Sequence, residues 1–218
     1  MANSTSLSAP GEKWTAERLK SRFGAAGEGA SVLSQEGPFQ EGPPKNKPTQ
    51  REPGLIPAAV LVPLIPRQEG TTLLLIRRAE GLDIHAGQFG FPGGHCEVQD
   101  VNAEATALRE TREELGLDHK DIEPLGHLGE VTTRTGYLIT PVVALLYPPF
   151  ELVLDECEVA ETFQLPLSVV LDPARHERLN RDLDDGSGLT HAITHNGRFI
   201  WGATAAMLIA LYERLNPI

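Results

Sequence analysis

Apolar residues are sparse before Ile56 and dense after it, and their spacing changes from segment to segment. Near the start, Leu19 and Phe23 stand four apart within Trp14 to Phe23, which predicts a short amphipathic helix. Such a helix is too short to persist without packing. From Gly24 to Gly54 the chain is rich in Gly, Pro, Ser and Gln and poor in aliphatics, the composition of a linker or arm. Ala58 to Ile65 is an unbroken apolar run that reads as a buried strand, and Thr72 to Arg77 follows after a polar turn as its hairpin partner. A glycine-rich loop, Gly87 to His95, leads into a helix from about Asn102 to Leu115, with Gly116 placed for a left-handed cap. Leu125 to Thr133 and Tyr137 to Leu146 read as strands, and Phe163 to Leu167 as a short extended piece ended by Pro166. Asn196-Gly197 between two strand-like runs predicts a hairpin, and Thr204 to Leu215 a closing apolar-striped helix. Strands and helices mix without regular βαβ alternation, so the expected class is α+β, with helices packed on a mixed β-sheet.

The length, 218 residues, fits one domain with an extension: residues 1–54 as an N-terminal helix and arm, residues 55–218 as the catalytic domain. A net charge of −11 without a Lys/Arg run argues against nucleic-acid or membrane-surface partners, and makes a bound cation necessary for any anionic small substrate. Cys96 and Cys157 form no CxxC pair and have no His at metal-finger spacing, so they read as reduced thiols of a cytoplasmic protein. Met1 to Pro10 lacks the basic and apolar regions of a secretion signal, and no apolar run reaches the roughly 18 residues of a membrane span.

The chemistry concentrates on the helix after the glycine-rich loop. At 3.6 residues per turn, Glu110, Glu113 and Glu114 share one face, while Leu108 and Leu115 point towards the core. Like charges at that spacing, close to the negative end of the helix dipole, disfavour the helix unless something positive sits among them. Arg109 can reach Glu113 one turn away, and a hard divalent cation answers the rest of the charge. The plain alternative is a solvated acidic face. The preceding Phe91-Pro92-Gly93-Gly94, followed by Glu97 and Asp100, argues against it, since glycines let backbone come close to a ligand.

The string from Gly94 to Leu117 resembles the box of the Nudix family: Arg109, Glu110, Glu113, Glu114 and Gly116 match its Arg-Glu-x-x-Glu-Glu-x-Gly, and Gly94 its first glycine. Gly94 to Arg109 is one residue longer than the general pattern, Asp100 stands where a Glu is usual, and Thr111 replaces an aliphatic. The longer spacing is similar to that of the coenzyme A pyrophosphatase branch, as are Leu74, Leu75, Arg78, Ala79, Gly87 and Phe91 to Gly94 upstream. Ile76 and Asp83 depart, the latter placing an acid where the branch has a second Arg.

This resemblance implies the Nudix fold, a mixed sheet sandwiched between helices, and hydrolysis of a diphosphate linkage with Mg²⁺ or Mn²⁺ held by Glu110, Glu113 and Glu114. Coenzyme A or a derivative is the implied substrate, split into 4′-phosphopantetheine and adenosine 3′,5′-bisphosphate. Another nucleoside diphosphate derivative, such as ADP-ribose, NADH or a dinucleotide, is the alternative that Asp83 motivates. A non-catalytic nucleotide-binding module is a remote one, because the acids of the box are present. Arg109 would orient the carboxylates. Arg78, His85, Gly93 and Gly94 would meet the substrate, with Arg78 first in line for the phosphoryl oxygens. Glu158, ahead of Glu161, is the candidate general base. His191 and His195 read as hairpin residues, Trp201 as packing for the last helix, and a homodimer is expected by analogy.

Overall fold

The computed structural model describes residues 13–24, 33–34, 54–82, 85–133, 135–183 and 186–216. Most of the arm between Gly24 and Gly54, and Asp83, lie outside the described residues. The centre is β2 (Ile56–Ile65), which pairs in parallel with β8 (Tyr137–Leu146) and in antiparallel with β3 (Thr72–Arg78). β9 (Val159–Pro166) extends the sheet beyond β3, and β6 (Ile122–His127) and β7 (Val131–Thr132) pair with β8. Two-residue β1 (Leu33–Ser34) lies parallel to β7.

Side chains alternate across this sheet, and both faces are apolar, as a strand buried on both sides requires. Val60, Val62, Leu64, Leu73, Leu75, Val143 and Leu145 form one core with Leu19 and Phe23 of α1 (Ala16–Gly24) and Leu208 and Leu211 of α4 (Gly202–Leu215). Ala59, Leu61, Ile65, Leu74, Ile76, Val142 and Ala144 form the other with Ala107 and Leu115 of α2 (Ala103–Leu115). The molecule is therefore α+β, with helices on both faces of a mixed sheet. The short helix α1 gains its stability by docking: Leu19 is fully buried, and Arg22 Nε donates to the Arg214 carbonyl at 3.1 Å.

The expected hairpin of β2 and β3 pairs only at Leu64 with Leu73 and Ile65 with Thr72, and then opens into a fork. The glycine-rich segment, expected as a loop, fills that fork with two short strands. In it β4 (Phe89–Gly90) pairs with β3, and β5 (Gly93–His95) with β2. A three-residue strand is too short to show a period, and tertiary pairing alone makes it. A second, antiparallel sheet holds β10 (Glu177–Leu183), β11 (Gly186–His195) and β12 (Arg198–Trp201), of which the sequence predicts the β11–β12 hairpin but not β10. Its Asn196-Gly197 turn has both φ positive, at 49° and 75°, as a tight hairpin of this kind needs. Among the described residues no helix is long and apolar enough to cross a membrane.

Candidate active site

Helix α2 starts where the Asn102 side chain accepts the Ala105 N–H at 2.8 Å, and stops where Gly116 turns left-handed at φ 68°. Ala107, Thr111 and Leu115 form its fully buried stripe, and the Thr111 hydroxyl donates to the Ala107 carbonyl at 2.7 Å. That bond explains how a hydroxyl is tolerated at an apolar position. On the flank covered by β5, Glu110 and Glu114 are also buried, whereas Glu113 is exposed. Period alone groups the three acids, but β5 roofs only two of them.

Arg109 is the hub of the acids. Its Nε and Nη2 donate to the two Asp100 oxygens at 3.2 and 3.0 Å, its Nη1 to Glu110 Oε1 and Glu113 Oε2 at 2.9 Å each, and its Nη2 to the His95 carbonyl at 3.1 Å. One planar guanidinium thus fastens the loop before α2, the strand β5 and two helix carboxylates. Asp100 itself accepts from the Glu97 N–H and the Thr106 hydroxyl. The Arg109 hydrogen bonds, ahead of every other influence, hold the Asp100 carboxyl at about 2. The sequence places Asp100 where the box usually has a Glu, but does not reveal it as Arg109's two-oxygen partner. Asp100 ends a turn begun at Glu97, its N–H donating to the Glu97 carbonyl and its side chain accepting the Glu97 N–H.

Glu114 is the opposite case. One oxygen accepts the Gly93 N–H at 3.0 Å, but the other, Oε1, is buried without a hydrogen-bond partner and lies 3.8 Å from Arg78 Nη1. Burial pushes its carboxyl up to about 8, against the pull of the Gly93 bond and Arg78. Burial raises Glu110 as well, and the charges of Glu113 and Glu158 add to it. The charge of Glu158, the residue just before β9, raises both Glu110 and Glu114 in the same direction. Glu161 instead ion-pairs with Arg77 at 3.3 Å, so the two acids of that segment separate into one beside the site and one engaged elsewhere.

Among the described residues no three acidic, His or Cys side chains are gathered into a ready metal shell. Glu113 is drawn out to Arg109 and Glu110 shares the same cation, which leaves Glu114 Oε1 as the buried carboxylate oxygen without a hydrogen-bond partner. The residues present nonetheless fit a hard divalent cation. A buried carboxylate oxygen with no partner is costly, and oxygen-rich acids next to it are the donor set such ions take.

The glycines are explained within the chain. A Cβ on Gly93 would come within 2.4 Å of the Ala59 carbonyl, and one on Gly94 within 2.5 Å of Glu110 Oε1. Gly94 thus makes the room in which the Glu110 carboxylate sits. Gly94→Ala is expected to displace that carboxylate, lowering kcat about 100-fold while the thermal midpoint moves by only a few degrees. Steady-state kinetics alongside a melting curve checks this, and unchanged kcat would deny Glu110 a part in the reaction. His85 is exposed on the turn before β4, its ring at 3.1 Å from the Gln88 side chain. His191 and His195 lie on β11 opposite Arg178 and Arg198, and Trp201 precedes α4, so the structure brings none of the three to the carboxylates through a described contact.

The Nudix domain family matches residues 55–181. A protein of Photorhabdus laumondii named uncharacterized Nudix hydrolase NudL is 37% identical over 159 residues, an alignment covering 73% of this chain and 84% of that protein. A Yersinia enterocolitica protein of the same name is 38% identical over 162 residues, 73% of this chain and 81% of its own. Among solved structures, RenU, a Nudix hydrolase from M. smegmatis, superposes with a TM-score of 0.50 at 23% identity, covering 72% of this chain and 84% of that one. A mixed sheet between helices, with two acids of one helix beneath a glycine-rich strand, is thus the frame of a known class, and the chain belongs to the Nudix family. It is a Nudix pyrophosphohydrolase.

Proposed function

We propose that this enzyme hydrolyses the diphosphate linkage of coenzyme A or one of its thioesters, releasing 4′-phosphopantetheine and adenosine 3′,5′-bisphosphate. The observation that carries the site reading is the partnerless buried Oε1 of Glu114 facing Arg78. The substrate reading rests on the resemblance of Leu74, Leu75, Arg78, Gly87 and Phe91 to Gly94 to the coenzyme A signature, and on the longer interval between Gly94 and Arg109.

Glu110, Glu113 and Glu114 would hold Mg²⁺ or Mn²⁺, which when bound offsets charge on the diphosphate oxygens and lowers the pKa of the attacking water. Arg109 sets the directions of Glu110 and Glu113 through its Nη1. Arg78, on the last residue of β3, is half-buried and has a buried Nε–H without a hydrogen-bond partner, so its guanidinium has donors to give to phosphoryl oxygens. Glu158, whose charge acts on Glu110 and Glu114, would take the proton of the attacking water. Gly93, Gly94 and the exposed His85 would meet the substrate. A homodimer in the cytoplasm completes the proposal.

The test is a screen of the purified protein with Mg²⁺ or Mn²⁺ against coenzyme A, acetyl coenzyme A, ADP-ribose, NADH and a diadenosine polyphosphate. Coenzyme A derivatives are expected to give the highest kcat/KM, by at least about tenfold, the discrimination one extra recognised group provides. Turnover of ADP-ribose with coenzyme A inert would overturn the substrate assignment and leave the diphosphate chemistry intact.

A further inference from the structure

We infer that Asp155 is a positioning residue for the reaction: it builds the turn that holds Glu158 against the catalytic helix. Residues 147–158 leave β8, run past the C-terminal end of α2 and enter β9. Helix ends leave carbonyls without intrahelical partners, and here this strap supplies donors to two of them. Val153 N–H donates to the Leu115 carbonyl at 2.9 Å, and Asp155 N–H to the carbonyl of Glu114 itself at 3.0 Å. Gly116 is fitted to the strap, for a Cβ there would meet that of Val153 at 2.9 Å.

From the same residue the chain folds back. The Asp155 carbonyl accepts from Glu158 N–H at 3.0 Å and Val159 N–H at 2.8 Å, and Asp155 Oδ1 accepts from Cys157 N–H at 2.9 Å. On the far side, the Glu158 carbonyl accepts Ala79 N–H at 2.8 Å, at the end of the strand that carries Arg78. One residue therefore touches the backbone of Glu114 with its N–H and that of Glu158 with its carbonyl. Its carboxylate closes the turn between them. Asp155 and Cys157 are exposed, so water competes for this turn, and the side-chain bond tightens what the two backbone bonds close. The backbone bonds survive any substitution here except Pro, so the side-chain bond is the part a variant can remove.

This inference rests on the reading of Glu158 as the general base, and the experiment separates the two. The variants are Asp155→Ala, Asp155→Asn, Glu158→Gln and the double variant Asp155→Ala/Glu158→Gln, in the full chain with saturating Mg²⁺ and with the coenzyme A or ADP-ribose that the screen selects. Asp155→Ala is expected to lower kcat about tenfold with KM within about twofold, because a loosened base costs rate and not binding. Asp155→Asn keeps an oxygen at Oδ1 and is expected to restore most of that loss. Glu158→Gln is expected to cost on the order of 10²-fold or more, and the double variant to be no slower than Glu158→Gln alone, since a residue acting through another adds nothing once the other is gone. If Glu158→Gln is crippled while Asp155→Ala keeps full kcat, or if the two losses multiply, the Asp155 inference is overturned and the base survives. If Glu158→Gln turns over normally, the base reading fails and the inference with it.

Discussion

The Glu114→Gln enzyme is expected to lose about 10³-fold in kcat and to remain folded, the loss matching the few kcal/mol of transition-state charge stabilisation that a well-held divalent ion contributes. The substitution keeps an acceptor for Gly93 N–H, the hydrogen bond that Glu114 makes through its side chain among the described residues. It takes away the buried oxygen that no protein donor satisfies. Stability therefore has little to lose and activity nearly everything. Mn²⁺ binding followed by electron paramagnetic resonance should weaken in parallel with kcat. Turnover near that of the wild type would remove Glu114 from the site.

The same residue predicts a pH signature in the metal-free protein. Its carboxyl lies at about 8 when folded against an ordinary 4.5, so between those values the folded state keeps a proton that the unfolded chain has given up. Stability then falls as pH rises through that window, because ionising Glu114 in place is unfavourable. Glu114→Gln has no such proton to lose, and its contribution to the slope should vanish. Adding metal to the wild type should do the same and release a proton as it binds.

How much of this site the sequence reveals follows from the range of the forces that build it. Glu110 and Glu114 are one turn apart on a helix whose start at Asn102 and stop at Gly116 are written in local chemistry, and the structure places both ends there. What separates Glu113 from them is not local. Gly93 to His95 lies over the first two acids only because β2 and β3 fork, and the fork is a property of the sheet. Asp155 is hidden for the same reason: its partner on α2 is the Glu114 carbonyl, remote in the chain and invisible to any periodicity. The strands β10 and β11 run through Arg, Asn, Asp, Gly and Ser, residues that carry turn signals as readily as strand signals, and only their mutual pairing makes them strands. By contrast Asn196-Gly197 was legible because a two-residue turn with positive φ is a local demand.

Removing Arg109 is expected to damage both stability and catalysis, which sets it apart from Glu114. Its guanidinium is the shared partner of Asp100, Glu110 and Glu113, and also fixes the His95 carbonyl at the end of β5. Arg109→Ala would leave Asp100, whose side chain is only 5% exposed, as a carboxylate with no cation. Breaking such a pair from one side costs about 3 kcal/mol, and for a chain of this size the thermal midpoint should drop by roughly 10 °C. Catalysis should fall by at least about 10²-fold, because Glu110 and Glu113 lose the group that sets their direction. Arg109→Lys keeps the charge but not the planar fork, so it should recover part of the stability and little of the rate. The acid limb tells the two contributions apart. With Arg109 present, Asp100 titrates near 2 against an ordinary 3.8, so its stabilisation is complete above 3.8 and lost as pH falls towards 2. In Arg109→Ala that carboxyl moves up and acid unfolding begins at higher pH. Adding Asp100→Asn to that variant should recover stability without recovering turnover, since the buried charge is gone but Glu110 and Glu113 remain without direction. A double variant as unstable as Arg109→Ala alone would mean that the Asp100 pair is not what Arg109 contributes to the fold.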